Sequence, residues 1–224
     1  MIEAVLFDLD GTLLDREKSL IAFVSHQYDR LAPKLSSISK EHYVSRFVDL
    51  DKNGYVWKDV VYEQLIKEFQ LTACTVKELL DDYMLNFKHC CIPFQHLHAM
   101  LEELTQRNIK LAMITNGYGQ FQLDNIQALG IEHYFDVILI SEWEGVKKPN
   151  SDIFNRALAK LQVSAAHSMF VGDHAINDIE AAQNVGMLAV WKRNDASPSY
   201  KADYIIDELS EIPMLMQQLV ICQK

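Results

Sequence analysis

At 224 residues, with 49% hydrophobic and 23% charged side chains, the chain has an ordinary globular make-up, enough for one large domain or a domain carrying an insert. Its net charge of −10 argues against a nucleic-acid backbone or an anionic membrane as the main partner. The four cysteines (Cys74, Cys90, Cys91, Cys222) form no CxxC pair, and neither a secretory signal nor a bilayer-length apolar run is evident, so a cytoplasmic protein is expected.

The first element is an apolar run, Ala4 to Phe7, which predicts a buried strand. It breaks into Asp8-Leu9-Asp10-Gly11-Thr12-Leu13. Side chains at i and i+2 of an extended chain point the same way, so Asp8 and Asp10 are expected to project together, with Gly11 letting the backbone turn behind them. Two crowded carboxylates need a cation or a shared proton to coexist. That is the chemistry of a divalent-metal site or an acid/base pair.

From Arg16 to about Phe87 the chain reads as helices and little else. Apolar stripes at helical spacing predict helices over Ser19–Leu31, Ser39–Leu50, Val56–Phe69 and Thr75–Phe87, with a turn at Asp51-Lys52-Asn53-Gly54. His89, Cys90, Cys91, His96 and His98 match no zinc spacing, which points to buried thiols and surface histidines. From Ile92 onward short apolar strands (Ile109–Ile114, Phe135–Ile140, Met169–Val171, Met187–Trp191) alternate with helices (His96–Arg107, Gly119–Leu129, Ser151–Leu161, Asn177–Val185). This rhythm predicts an α/β fold, a parallel sheet covered on both faces, with the helical block as an insert. The expected division is a core of residues 1–15 and 89–224 and an insert of residues 16–88.

Open parallel sheets bind ligands beyond the carboxyl ends of their strands. Four polar groups fall at such ends: Asp8 with Asp10, Thr115-Asn116-Gly117, Lys148 before Pro149, and Gly172-Asp173 with Asp178 one turn on. Each alone is an ordinary turn, cap or surface residue. Their joint arrival at one edge of the sheet is what predicts a site.

In order and spacing, Asp8-Leu9-Asp10-Gly11-Thr12-Leu13, Thr115, Lys148-Pro149 and Gly172-Asp173 with Asp178 closely resemble the haloacid dehalogenase-like hydrolase superfamily across the whole chain. The resemblance implies a doubly wound, Rossmann-like parallel sheet core, a helical cap of the C1 type, and an aspartyl-phosphate mechanism. It makes Asp8 the nucleophile and Asp10 the general acid and base. By the same resemblance Mg²⁺ sits on Asp8, the Asp10 backbone carbonyl and Asp173, with Asp178 binding through water or orienting the set. Thr115 and the N–H groups of Asn116 and Gly117 would hold the phosphoryl oxygens, and Lys148 would neutralise charge on them. Lys147 is the neighbour with which Lys148 is most easily confused, and His174 reads as a helix-start residue.

The expected activity is a phosphatase acting on a small phosphorylated metabolite such as a nucleotide or sugar phosphate. A sugar phosphomutase shares Asp8 and Asp10 and stays open as an alternative. A 2-haloacid dehalogenase does not need Asp10. A phosphoaspartate signalling module carries its acid on a middle strand and lacks a large insert. Specificity is expected in the insert, around Asp51–Tyr55 with Arg46, Lys58 and Trp57, although Trp57 reads first as a residue packed between helices. The protein is expected as a monomer or small homo-oligomer.

Overall fold

The computed structural model describes residues 1–193 and 201–221, so Cys222 lies outside the described residues. The chain divides into two compact units, one of residues 1–15 and 93–224 and one of residues 16–92.

The first unit is built on six parallel strands: β1 (Ala4–Phe7), β2 (Lys110–Thr115), β3 (Val137–Ile140), β4 (Ser168–Gly172), β5 (Leu188–Lys192) and β6 (Tyr204–Ile206). Their spatial order is β3-β2-β1-β4-β5-β6. The chain therefore moves one way from β1 through β3, returns to the other side of β1, and moves outward again. That reversal between β1 and β4 makes their carboxyl ends the natural crevice of the fold. Every residue of β1 is buried, as a central strand covered on both faces requires.

Alternation along the strands sorts the core into two layers. Ala4, Leu6, Ala112, Ile114, Phe170, Ala189 and Trp191 pack with Ile153, Phe154, Ala157, Leu158 and Leu161 of the helix Ser151–Leu161. This helix forms where it does because Asn150 accepts the Asp152 N–H at its start and its apolar residues recur on one face. Val5, Phe7, Leu111 and Met113 line the opposite face. The predicted strands fall within one or two residues of those observed. The edge strand β6 and the helix Glu211–Ile221 were not predicted.

The entry to and exit from the insert lie together on the core: Leu14 and Pro93 form an antiparallel bridge, and the Phe94 N–H donates to the Leu13 carbonyl.

The second unit is four main helices, Arg16–Arg30, Lys40–Asp51, Lys58–Phe69 and Val76–Asn86. Ser39 caps the second, and Thr75 with Glu78 forms a reciprocal capping box on the fourth. At its centre Gln27, with no solvent exposure, accepts from the hydroxyls of Tyr43 and Tyr62 and donates to the Leu79 carbonyl and to Asp82. Asp82 is also held by Arg30 and Asn86. Burial pushes the Tyr62 and Tyr43 hydroxyls well above the usual tyrosine range, so both remain neutral donors. Trp57 is not packed between helices: it precedes the helix Lys58–Phe69 and is 64% exposed, beside an equally open Tyr55. Arg46 pairs with Glu68, and Lys58 joins Arg16 on the buried Asp51. Among the described residues no helix is long and apolar enough to cross a membrane.

Candidate active site

The constellation expected at the strand ends assembles in the first unit. Asp8 follows β1 directly, its N–H still bonded to the Val171 carbonyl of β4. Lys148, buried and at the end of a loop after β3, places its Nζ 2.6 Å from Asp8 Oδ1 and 2.7 Å from Asp178 Oδ1. Lys147 is exposed, so of the two lysines it is Lys148 that meets the carboxylates.

Asn116 makes this placement rigid. Its side chain accepts the Lys148 N–H at 2.9 Å and donates to the Lys148 carbonyl at 3.0 Å, clamping the lysine's own peptide groups. Asp178 lies on a π-helical turn, Ala175–Glu180, and its Oδ2 accepts the His174 N–H at 3.0 Å. The His174 ring accepts the N–H groups of Ile176 and Asn177, so this histidine caps the turn, as its sequence position suggests.

Asp8, Asp173 and Asp178 each offer an oxygen within 4.8 Å of the others. Two glycines permit that approach. A Cβ on Gly172 would meet the Asp178 Cβ at 2.4 Å, and a Cβ on Gly11 would meet Asp173 Oδ2 at 2.3 Å. Gly11 also has φ of +84°, a conformation that side chains resist.

The electrostatics follow from crowding. Burial pushes the Asp8 carboxyl well above the usual carboxylate range; Lys148 opposes this, and Asp178 and Asp173 add to it. For Lys148, burial disfavours the ammonium, but the Asp178 and Asp8 charges outweigh it and hold its pKa above the usual lysine range. One ammonium thus serves two buried carboxylates, with a third close by. A hard, oxygen-only donor set of this kind fits a divalent cation of the Mg²⁺ class. The residues present can therefore hold such a metal.

Asp10 departs from its expected partnership with Asp8. After Asp8 the chain turns tightly, with Thr12, Leu13 and Leu14 all donating to the Leu9 carbonyl. The i/i+2 rule of an extended strand no longer applies there, since β1 ends at Phe7. The Asp10 carboxylate is not one of the clustered three; its Oδ2 instead accepts from Gln122 Nε2 at 2.7 Å. The same nitrogen lies 2.6 Å from Thr115 Oγ1.

The loop after β2 also differs from the expectation. The Gly117 N–H, anticipated as a phosphoryl donor, is taken by Ser141 Oγ at 3.0 Å, and the Gly119 N–H by Glu142 at 2.6 Å. Both acceptors follow β3, whose last residue Ile140 is in register with Thr115. Pairing β2 with β3 therefore brings Ser141 and Glu142 alongside the loop.

Gln122 was missed in the sequence. The signal was available in the helix Gly119–Ala128, where Gln122 and Asn125 occupy buried positions beside Ile126. Polar side chains on a core-facing stripe need partners, and their partners here are site residues.

A doubly wound parallel sheet with three carboxylates and a buried lysine at its switch point defines an α/β protein of the kind that places its chemistry there, with an oxygen-rich group that could hold a cation. The chain belongs to the haloacid dehalogenase-like hydrolase family, whose profile matches residues 5–192. It is 35% identical to a glyceraldehyde 3-phosphate phosphatase of Pyrococcus furiosus, over 97% of this chain and 94% of that one. It is 30% identical to a phosphoglycolate phosphatase of Vibrio parahaemolyticus, over 94% of each chain. Among solved structures it resembles a phosphatase of the same family from Thermococcus onnurineus, with a TM-score of 0.68, 30% identity, and coverage of 96% of this chain and 98% of that one.

Proposed function

We propose that this chain is a Mg²⁺-dependent phosphomonoesterase that hydrolyses a small phosphorylated metabolite through a phosphoryl group carried on Asp8. The observation that carries this reading is the bond from Lys148 Nζ to Asp8 inside the carboxylate group Asp8, Asp173 and Asp178. A buried carboxylate held in one position by an ammonium is placed to attack phosphorus in line, splitting one hard displacement into two easier ones.

Asp8, Asp173 and Asp178 would hold the metal, with the Asp10 carbonyl, and a bound cation offsets the repulsion between these carboxylates and an anionic substrate. Asp10 gives a proton to the leaving oxygen as the Asp8–phosphorus bond forms. It then takes a proton from the water that attacks phosphorus and frees phosphate, which restores Asp8. Lys148 balances charge on the transferring group, and Thr115 donates its hydroxyl to a phosphoryl oxygen, with the Asn116 N–H as a further donor. The helical unit serves as the cap that selects substrate and limits water. The named relatives support a short sugar-derived or hydroxyacid phosphate as substrate.

The test is phosphate release from glyceraldehyde 3-phosphate, phosphoglycolate, nucleotides and p-nitrophenyl phosphate, with Mg²⁺ and with EDTA. Asp8→Asn is expected to lower turnover by about 10³-fold or more while the protein stays folded. Wild-type rate in that variant removes Asp8 as nucleophile, and full activity in EDTA removes the metal. Isomerisation of a sugar phosphate without phosphate release shows a mutase instead.

A further inference from the structure

We infer that Gln122 is a positioning residue that aims Asp10 at the leaving group of the substrate; this rests on the phosphatase reading above. Gln122 is 2% exposed, and its side-chain orientation is fixed from both ends. Oε1 accepts from Asn125 Nδ2 at 3.3 Å, so Nε2 faces the site. The two protons of that nitrogen match two short contacts, Asp10 Oδ2 at 2.7 Å and Thr115 Oγ1 at 2.6 Å.

The consequence for each partner is directional. An amide N–H only donates, so Oδ2 of Asp10 is occupied as an acceptor. Oδ1 has no hydrogen-bond partner among the described residues, and it is the oxygen left to exchange a proton with the leaving group. Thr115 likewise accepts from Gln122, which frees its own hydroxyl proton to point at a phosphoryl oxygen. One neutral side chain therefore ties the groups that handle the leaving oxygen and the phosphoryl group to a single frame.

An independent observation shows the chain making room for this. A Cβ on Gly117 would stand 2.9 Å from Gln122 Cγ, so the loop after β2 passes close over the glutamine only because residue 117 has no side chain. Gly117 is itself tied to Ser141 on both its N–H and its carbonyl, so the passage is held from the other side.

A group that aims a general acid matters most when the leaving group needs a proton. The experiment compares a simple alkyl phosphate, whose alkoxide leaves poorly, with p-nitrophenyl phosphate, which departs as a stable phenolate. Gln122→Met keeps the unbranched shape and removes the donor. It is expected to lower kcat/KM, which reports phosphoryl transfer to Asp8 and departure of the leaving group but not the later attack of water, by about 10²-fold for the alkyl ester and by less than about 3-fold for p-nitrophenyl phosphate. In an Asp10→Asn background the same substitution is expected to add no further loss on the alkyl ester, because both act through one proton transfer. Gln122→Leu, which also lacks a donor, carries the same comparison if the Met variant does not fold. Equal losses on both esters, or losses that add to those of Asp10→Asn, overturn the inference and leave a structural glutamine. Absence of phosphate release by the wild-type protein from either ester instead overturns the phosphatase reading beneath it.

Discussion

In the helical unit Gln27 meets two tyrosine hydroxyls, a backbone carbonyl and Asp82, so each valence of a fully buried amide is answered. At the carboxyl edge of the sheet Lys148 answers two buried carboxylates with one charge while Asp173 stands within 4.8 Å. Both regions bury polar atoms, and burying them without partners is costly. The first closes its hydrogen bonds internally and specifies how four helices pack. The second keeps acceptors in excess of donors, which costs stability without a cation and is what marks a site.

Removing the central group of each region is the sharpest way to break this contrast. Lys148→Met leaves Asp8 and Asp178 buried without their ammonium. We expect turnover to fall by about 10²–10³-fold, and the metal-free protein to lose about 3–5 kcal/mol in urea unfolding. A variant that keeps wild-type kcat would place Lys148 with Gln27, as architecture.

Metal should act on the sheet edge through the Asp8 titration. Because the Asp8 carboxyl titrates above its unfolded range, the folded protein holds more protons than the unfolded chain between the two values. Stability of the metal-free protein therefore falls as pH rises through that window. A cation favours the ionised carboxylate, so the stabilisation by Mg²⁺ should grow over the same window, reaching about 2.7 kcal/mol at 100 times Kd. Thermal unfolding with EDTA and with Mg²⁺ at several pH values measures it. A gap in Tm that is absent, or unchanged by Asp173→Asn, would count against the carboxylate group as a cation site.

The smallest effect on chemistry should come from the helical unit. Gln27→Leu strands Tyr43, Tyr62 and the Leu79 carbonyl in an apolar interior, at about 2–3 kcal/mol. Its kcat at a temperature where the variant is folded should stay within a few-fold of wild type. A loss of turnover as deep as that of Lys148→Met would erase the distinction between the two networks.

The positions of Asp8, Thr115, Lys148, Asp173 and Asp178 were legible because strand ends and turn residues are local signals, and the alternating elements dictate which edge they share. The direction of Asp10 was not, because the turn onto the Leu9 carbonyl cancels the strand rule two residues after Asp8. Nor was the loss of the Gly117 N–H to Ser141, which depends on which strands become neighbours. Gln122 stayed hidden for a related reason: its partners lie 7 and 112 residues away, and only the closed sheet brings them together. Strand β6 has three residues, two of them partly exposed, too few for a period to show.

The bridge between Leu14 and Pro93 has a bearing on ancestry as well as on shape. An excursion of 77 residues that leaves and rejoins its host at neighbouring points behaves, topologically, as one surface loop. Such a loop can be lengthened, exchanged or shortened without rethreading the sheet, because the cost of closing it grows only slowly with its length. The unit proposed to carry the chemistry and the unit proposed to choose its substrate are thus free to diversify on separate schedules, the first held still by its sheet and the second open to drift.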